Sequence, residues 1–166
     1  MHIYLVQHGA SKSEAEDPER SLTDEGMRTV EKMANYLAGA GVSAEKIRHS
    51  DKLRARQTAG ILAASLKPQN GIEQVSGMAP NDDVSAMRIS LHSEAEDVML
   101  VGHLPYLSRL LSSLLLVDEN RPLVEFRMGG MGGVVCLGRT ENAQFSILWA
   151  LTPDLLEAPS DLRQAA

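Results

Sequence analysis

The sequence predicts an α/β fold: a three-layer sandwich with a mostly parallel mixed sheet, helices on both faces and a C-terminal β-hairpin. Three observations lead there. Short apolar runs alternate with longer segments whose apolar residues recur every three or four positions, so strands alternate with helices. Two of the strand-like runs, at residues 3–6 and 97–101, end on a histidine beside a glycine. The end of the chain abandons the alternation for two neighbouring strand-like runs.

In order, residues 3–6 form a strand buried on both faces that delivers Gln7, His8 and Gly9 at its carboxyl end. Residues 11–20 are charged and aperiodic, a loop. Thr23, followed by Asp24, Glu25 and Gly26, opens a helix with Met27, Val30, Met33, Ala34 and Leu37 on its apolar face, stopped by Gly39 and Gly41. A strand at residues 46–49 leads to Ser50, and residues 53–66 have helical spacing until Pro68, with Asn70 and Gly71 at the exit. Residues 72–75 form a strand, 82–91 a helix, 97–101 a buried strand ending at Gly102 and His103, and 107–116 a helix. Gly129, Gly130, Gly132 and Gly133 make a turn at a strand entrance. Residues 134–137 and 145–151 then pair as the hairpin, joined through residues 139–144 with Gly138 at the exit. Residues 1–158 make a single domain and 159–166 a frayed tail.

Composition limits the function. With 43% hydrophobic and 23% charged residues the 166-residue chain is a folded globular domain, not a disordered, collagenous or coiled-coil one. A net charge of −6 gives no overall attraction to nucleic acid or an anionic membrane, so an anion site has to be local. Cys136 is the single cysteine, so no intrachain disulfide forms; it sits in an apolar run as a buried filler. The first residues carry no basic leader or cleavage site, and the longest apolar run, around residues 110–117, is broken by Ser112 and Ser113. A cytoplasmic location follows. No ligand-spaced cluster of His, Cys and carboxylates and no G-x-x-x-x-G-K loop occurs, so no metal and no cofactor are expected.

The chemistry gathers at strand ends. Parallel strands place their carboxyl ends on one edge of the sheet, so His8 and His103 share one crevice. A lone histidine is more often structural; two in matched settings suit a nucleophile and a partner stabilising a transferring phosphoryl group. Gly9 lets the backbone turn and approach an anion. After Ser50 a helix begins, whose first N–H groups and arginines favour an anion. Arg54 and Arg56 lie on different helix faces, so only one can enter the crevice.

Four segments carry a resemblance. They are Leu5 to Gly9; Arg20 to Gly26, with Leu22 and Thr23; Ser50 to Ala59, with Arg54, Gln57 and Thr58; and Val101 to Pro105, with His103. Together, in this order and over nearly the whole chain, they resemble the histidine phosphatase superfamily. The short length, the lack of a large insertion between Thr58 and Gly102, and the closing hairpin are most similar to its SixA-type phosphohistidine phosphatase branch. The resemblance implies that His8 attacks phosphorus in line and carries the phosphoryl group while Arg54 and His103 bind its oxygens. Arg20 is then a further phosphate or substrate contact, or else an exposed loop arginine. Asp82 and Asp83 occupy the segment where larger members keep a general acid, but Asp before a helix is also an N-cap, and the cap is the favoured reading.

The sequence departs from the family at Gln7, where the superfamily has arginine. Glutamine keeps an N–H donor and loses the charge and the bidentate fork, a loss of about 1.5–3 kcal/mol for a phosphate contact. The resemblance thus implies a phosphatase of phosphohistidine in a partner protein, with a small phosphate ester as the other substrate. Gln7 leaves open a non-catalytic phosphate- or phosphoprotein-binding module.

Overall fold

The computed structural model describes residues 1–116, 120–124, 126 and 133–156. Six strands form one sheet in the order β3-β2-β4-β1-β5-β6. They are β1 (His2–Gln7), β2 (Lys46–His49), β3 (Ile72–Gln74), β4 (Val98–Gly102), β5 (Val134–Arg139) and β6 (Phe145–Leu151). β1 with β4, β2 with β4 and β2 with β3 are parallel, while β5 runs antiparallel to both β1 and β6. The mixed sheet and its terminal hairpin are as the sequence predicts.

The strand alternation sorts the core into two layers. Ile3, Leu5, Val98 and Leu100 pack with Leu91 of α3 (Ser85–Ser93) and with Leu107, Leu110 and Leu111 of α4 (Tyr106–Leu116). On the other face Tyr4, Val6, Met99 and Val101 pack with Val30, Met33 and Leu37 of α1 (Asp24–Gly39) and with Ala55, Ala59 and Leu62 of α2 (Leu53–Leu66). Because both faces are covered, β1 is apolar from Ile3 to Val6 apart from the Tyr4 hydroxyl, and β4 from Val98 to Val101. Cys136 is 1% exposed and burial pushes its thiol up to about 11, consistent with an inert filler. Among the described residues no helix is long and apolar enough to cross a membrane.

Local chemistry sets the helix ends. Thr23 caps α1, its hydroxyl accepting the Gly26 N–H at 3.0 Å, and Asp24 and Glu25 in the first turn complement the helix dipole. α2 ends at Lys67 in the left-handed conformation, φ 50°, immediately before Pro68. α3 begins at Ser85, three residues after the predicted start. Asp82 accepts from the Ala79 N–H (2.7 Å) and Asp83 from the Ser85 N–H (2.8 Å), which builds a loop where periodicity alone predicts helix. In the β5–β6 turn Thr140 N–H bonds to the Gln144 carbonyl at 2.7 Å. Of the four glycines read as a turn, Gly129, Gly130 and Gly132 lie outside the described residues, as does the predicted tail at 159–166.

Candidate active site

The β1–β4 register aligns Gln7 with Gly102, so the next residues of each strand leave the sheet side by side. His8 N–H donates to the Gly102 carbonyl at 3.1 Å, tying the two loops together. The rings of His8 and His103 follow, with centroids 4.9 Å apart and planes tilted by 60°. The shared crevice expected from parallel strand ends is present.

The loop after His8 is held against α1 and α2. A β-carbon on Gly9 would come within 2.8 Å of Val30 Cγ2 and 3.1 Å of the Gly26 carbonyl oxygen, so tight packing on α1 demands glycine there. Gly26 in turn is pressed by the Ala10 backbone, and Thr23 N–H donates to the Ala10 carbonyl at 2.8 Å. Gly9 N–H donates to Thr58 Oγ1 (3.0 Å), and that hydroxyl donates to the Arg54 carbonyl (2.8 Å) one turn back along α2. The Gln57 amide oxygen accepts the Leu22 N–H at 2.7 Å, fixing the segment that follows Arg20. Gln57 and Thr58 thus serve as scaffolding for the loop after His8 and the segment after Arg20.

His8 Nδ1 lies 2.7 Å from its neighbour's carbonyl, Gly9 O, which can only accept; the imidazole proton is therefore on Nδ1 and Nε2 carries the lone pair. Arg54 Nε–H points at that lone pair from 3.2 Å. Arg54 is 9% exposed, and its terminal guanidine nitrogens make no hydrogen bond to the described residues. Arg56, two residues on, is exposed, so one arginine of the pair enters the crevice, as the helix faces predict. Burial, aided by the positive charges of Arg54 and Arg20, pushes His8 down to about 4 against the opposing bond to Gly9. His103, 2% exposed, is pushed to about 3 by burial first and then by His8, Arg54 and Lys52. Burial and Arg20 lower the Arg54 pKa too. Both imidazoles are neutral at pH 7, and the fixed positive charge beside them is that of arginine.

Arg20 stands at the rim. It is exposed, adopts φ 53°, and donates through Nε to the Lys12 carbonyl at 3.4 Å. With Glu14, Asp51, Lys52 and Arg54 it lines a polar cleft of about 400 Å³. Gln7 is 8% exposed; its backbone N–H reaches the Gly133 carbonyl at 3.1 Å, and no described residue hydrogen-bonds its side-chain amide. Asp82 and Asp83 make the loop bonds given above, and Arg109 donates to the Asp82 carbonyl at 3.1 Å. Both carboxylates organise the loop before α3 and neither caps the helix as expected, since the N-cap position is Val84 and no side chain bonds to the first turn from it.

One residue beside the histidines is given no role by the sequence reading, although it opens one of the four resembling segments. Ser50, at the end of β2, is 1% exposed and places Oγ 2.5 Å from His103 Nε2. Its sequence signals are its place at the head of the Ser50 to Ala59 segment and at the carboxyl end of a strand next to β4.

The family model described as histidine phosphatase superfamily (branch 1) matches residues 3–77. Phosphohistidine phosphatase SixA of Escherichia coli (strain K12) is 28% identical over 158 residues, 92% of this chain and 94% of that protein. Among solved structures, the protein histidine phosphatase SixA complexed with tungstate superposes with a TM-score of 0.79 at 25% identity, covering 94% of this chain and 99% of that one. A phosphoserine phosphatase from Entamoeba histolytica in complex with 3-phosphoglyceric acid shares the fold at a TM-score of 0.67 and 15% identity, covering 90% and 95% of the two chains.

Proposed function

The chain belongs to the histidine phosphatase superfamily, and from that premise we propose that it removes the phosphoryl group from phosphohistidine in a partner protein by way of a phosphohistidine on its own His8. The observation that carries this is the neutral His8 ring, its proton committed to Gly9 O and its Nε2 lone pair facing Arg54 at 3.2 Å. A nucleophile needs that tautomer, and a phosphoryl group arriving at Nε2 needs that cation beside it.

In the first step His8 Nε2 attacks phosphorus opposite the substrate's imidazole nitrogen. The new N–P bond forms as the old one breaks, and the departing imidazole keeps the electron pair and a proton. Arg54 moves its N–H from Nε2 to a phosphoryl oxygen, where its unpaired terminal nitrogens add further bonds, while His103 and the rim charge of Arg20 face the same group. In the second step water oxygen bonds to phosphorus opposite Nε2 as the N–P bond breaks, both water protons leave on inorganic phosphate, and the bonding pair returns to His8 Nε2 as its lone pair. Arginine and imidazole donors supply the charge stabilisation, so the reaction runs without a metal. An imidazole leaving group can carry its own proton, which fits the engagement of Asp82 and Asp83 in bonds to their own loop. The SixA relative and the tungstate-bound SixA structure support the substrate class, tungstate being a tetrahedral oxyanion like phosphate. A lone buried Cys136 suits a reducing cytoplasm as the place of work.

The test compares hydrolysis of a phosphohistidine-carrying protein with that of a generic phosphate ester, chelator present in both. Faster release from the protein is expected. Preference for the ester would move the substrate class, and phosphate binding without release from either would favour the binding module that Gln7 permits.

A further inference from the structure

Ser50 and His103 are both buried and in contact, and neither has an obvious structural need for the other. Ser50 already has a backbone anchor, its N–H donating to the Val101 carbonyl at 3.2 Å. Its hydroxyl has two neighbours, the Lys52 N–H at 3.4 Å and His103 Nε2 at 2.5 Å. The Lys52 N–H can only donate, so it occupies an oxygen lone pair. The single hydroxyl proton then has one acceptor in reach, His103 Nε2. On the other side of the ring, His103 Nδ1 is buried and has no partner among the described residues. A buried donor left unpaired is costly, and such groups in folded proteins call for a reason.

We infer that Ser50 is a positioning residue for the phosphoryl-transfer site: by donating to His103 Nε2 it fixes the tautomer of His103 and presents Nδ1–H as the donor for a phosphoryl oxygen. The inference rests on the reading of His103 as a phosphoryl contact. The physical need is plain, because a neutral imidazole has one proton and two places for it. A cationic imidazole would donate from both nitrogens whatever its neighbours. His103 is held neutral by burial and by the positive charges around it, so a neighbour has to choose the nitrogen. His8 is treated the same way with opposite outcome in use: Gly9 O holds the proton on Nδ1 to free a lone pair at Nε2, while Ser50 holds the lone pair at Nε2 to free a proton at Nδ1. One ring is set as nucleophile and the other as donor.

The test reads the tautomer directly. In the full-length protein at pH 7, ¹⁵N spectra of the histidine rings should show His103 protonated at Nδ1, with a pyridine-type Nε2. In Ser50→Ala the proton should move wholly or partly to Nε2, and in Ser50→Thr, which keeps the hydroxyl, it should stay. Wild-type His103 protonated at Nε2, or a tautomer unchanged in a folded Ser50→Ala, overturns the inference. If Ser50→Ala does not fold, the wild-type spectrum alone decides. None of these readouts depends on turnover, so a failure of the phosphatase reading is separately visible. For kinetics, Ser50→Ala should lower kcat about 10- to 100-fold, as loss of an orienting partner does, with a small change in KM. The double variant Ser50→Ala/His103→Ala should be no slower than His103→Ala alone. Additive losses would give Ser50 a role of its own and contradict action through His103.

Discussion

The two edges of the sheet use the same kinds of polar group in opposite ways. At the edge where β1 begins, Asp97 accepts from the His2 backbone N–H at 2.6 Å and pairs with His2 Nδ1 at 2.9 Å. Beside it Arg139 closes the end of α3, donating to the carbonyls of Glu94 (3.0 Å), Leu91 (3.3 Å) and His92, with its guanidinium over the Phe145 ring. That arginine satisfies helix carbonyls that would otherwise be orphaned. At the edge where β1 ends, Arg54 touches His8 through one nitrogen only and His103 Nδ1 has no partner among the described residues. The guanidinium at the first end makes three carbonyl contacts, only its buried Nε lacking a partner among the described residues, whereas the one at the second end makes a single contact beside an imidazole nitrogen that has none.

The widest separation should come from arginine deletions at the two edges. Arg54→Ala is expected to lower kcat by about 10²–10³ while leaving the denaturation midpoint nearly unchanged, as loss of a preorganised electrostatic donor does. Arg139→Ala should do the reverse, leaving kcat near wild type and lowering unfolding free energy by about 1–3 kcal/mol, since it removes bonds to three carbonyls at the end of α3 and the contact with the Phe145 ring. Urea titrations and steady-state kinetics on both proteins check this; matching profiles would erase the distinction between the edges.

A smaller effect follows from pH. In the unfolded chain each histidine takes a proton near its ordinary value of about 6.5, whereas folded His8 and His103 resist until about 4 and 3. Between those limits the unfolded state binds more protons, so stability falls as pH drops below about 6.5; above it these two groups add no slope. Each contributes at most about 1.4 kcal/mol per pH unit. Proton NMR titration of the ring protons should give His8 near 4, and His8→Gln should flatten the acid loss of stability. A ring titrating at an ordinary histidine value would remove the buried neutral nucleophile from the account.

The fold was legible because the alternation of short apolar runs with helical spacing reports burial on both faces, and β1 and β4 are covered on both. His8, His103 and Arg54 were legible because strand ends and helix phase place them without knowledge of the rest. The start of α3 was misplaced because Asp82 and Asp83 bond to backbone N–H groups of their own loop, a competition invisible to apolar periodicity. Gly9 was expected for a different reason than the one that holds it, since its packing on Val30 joins residues distant in sequence. Ser50 went unseen for the same cause: its partner is 53 residues away.

Gln7 offers the finest adjustment of the contrast, because it is a neutral side chain where the superfamily places a cation. Gln7→Arg should raise phosphate affinity and kcat/KM about tenfold, on the order of one charge-assisted hydrogen bond. Competition by inorganic phosphate, measured at equal ionic strength in both proteins, is the check. No gain in binding would mean that residue 7 does not face the anion.

The central claim is that His8 Nε2 becomes covalently phosphorylated, and rapid acid-free quenching of the enzyme with ³²P-labelled substrate tests it most directly. A base-stable, acid-labile phosphoryl group is expected on wild-type protein, mapped to His8 and absent from His8→Ala. Label retained by that variant, or turnover in wild type with no trapped intermediate under conditions where release of phosphate is made slow, would contradict it.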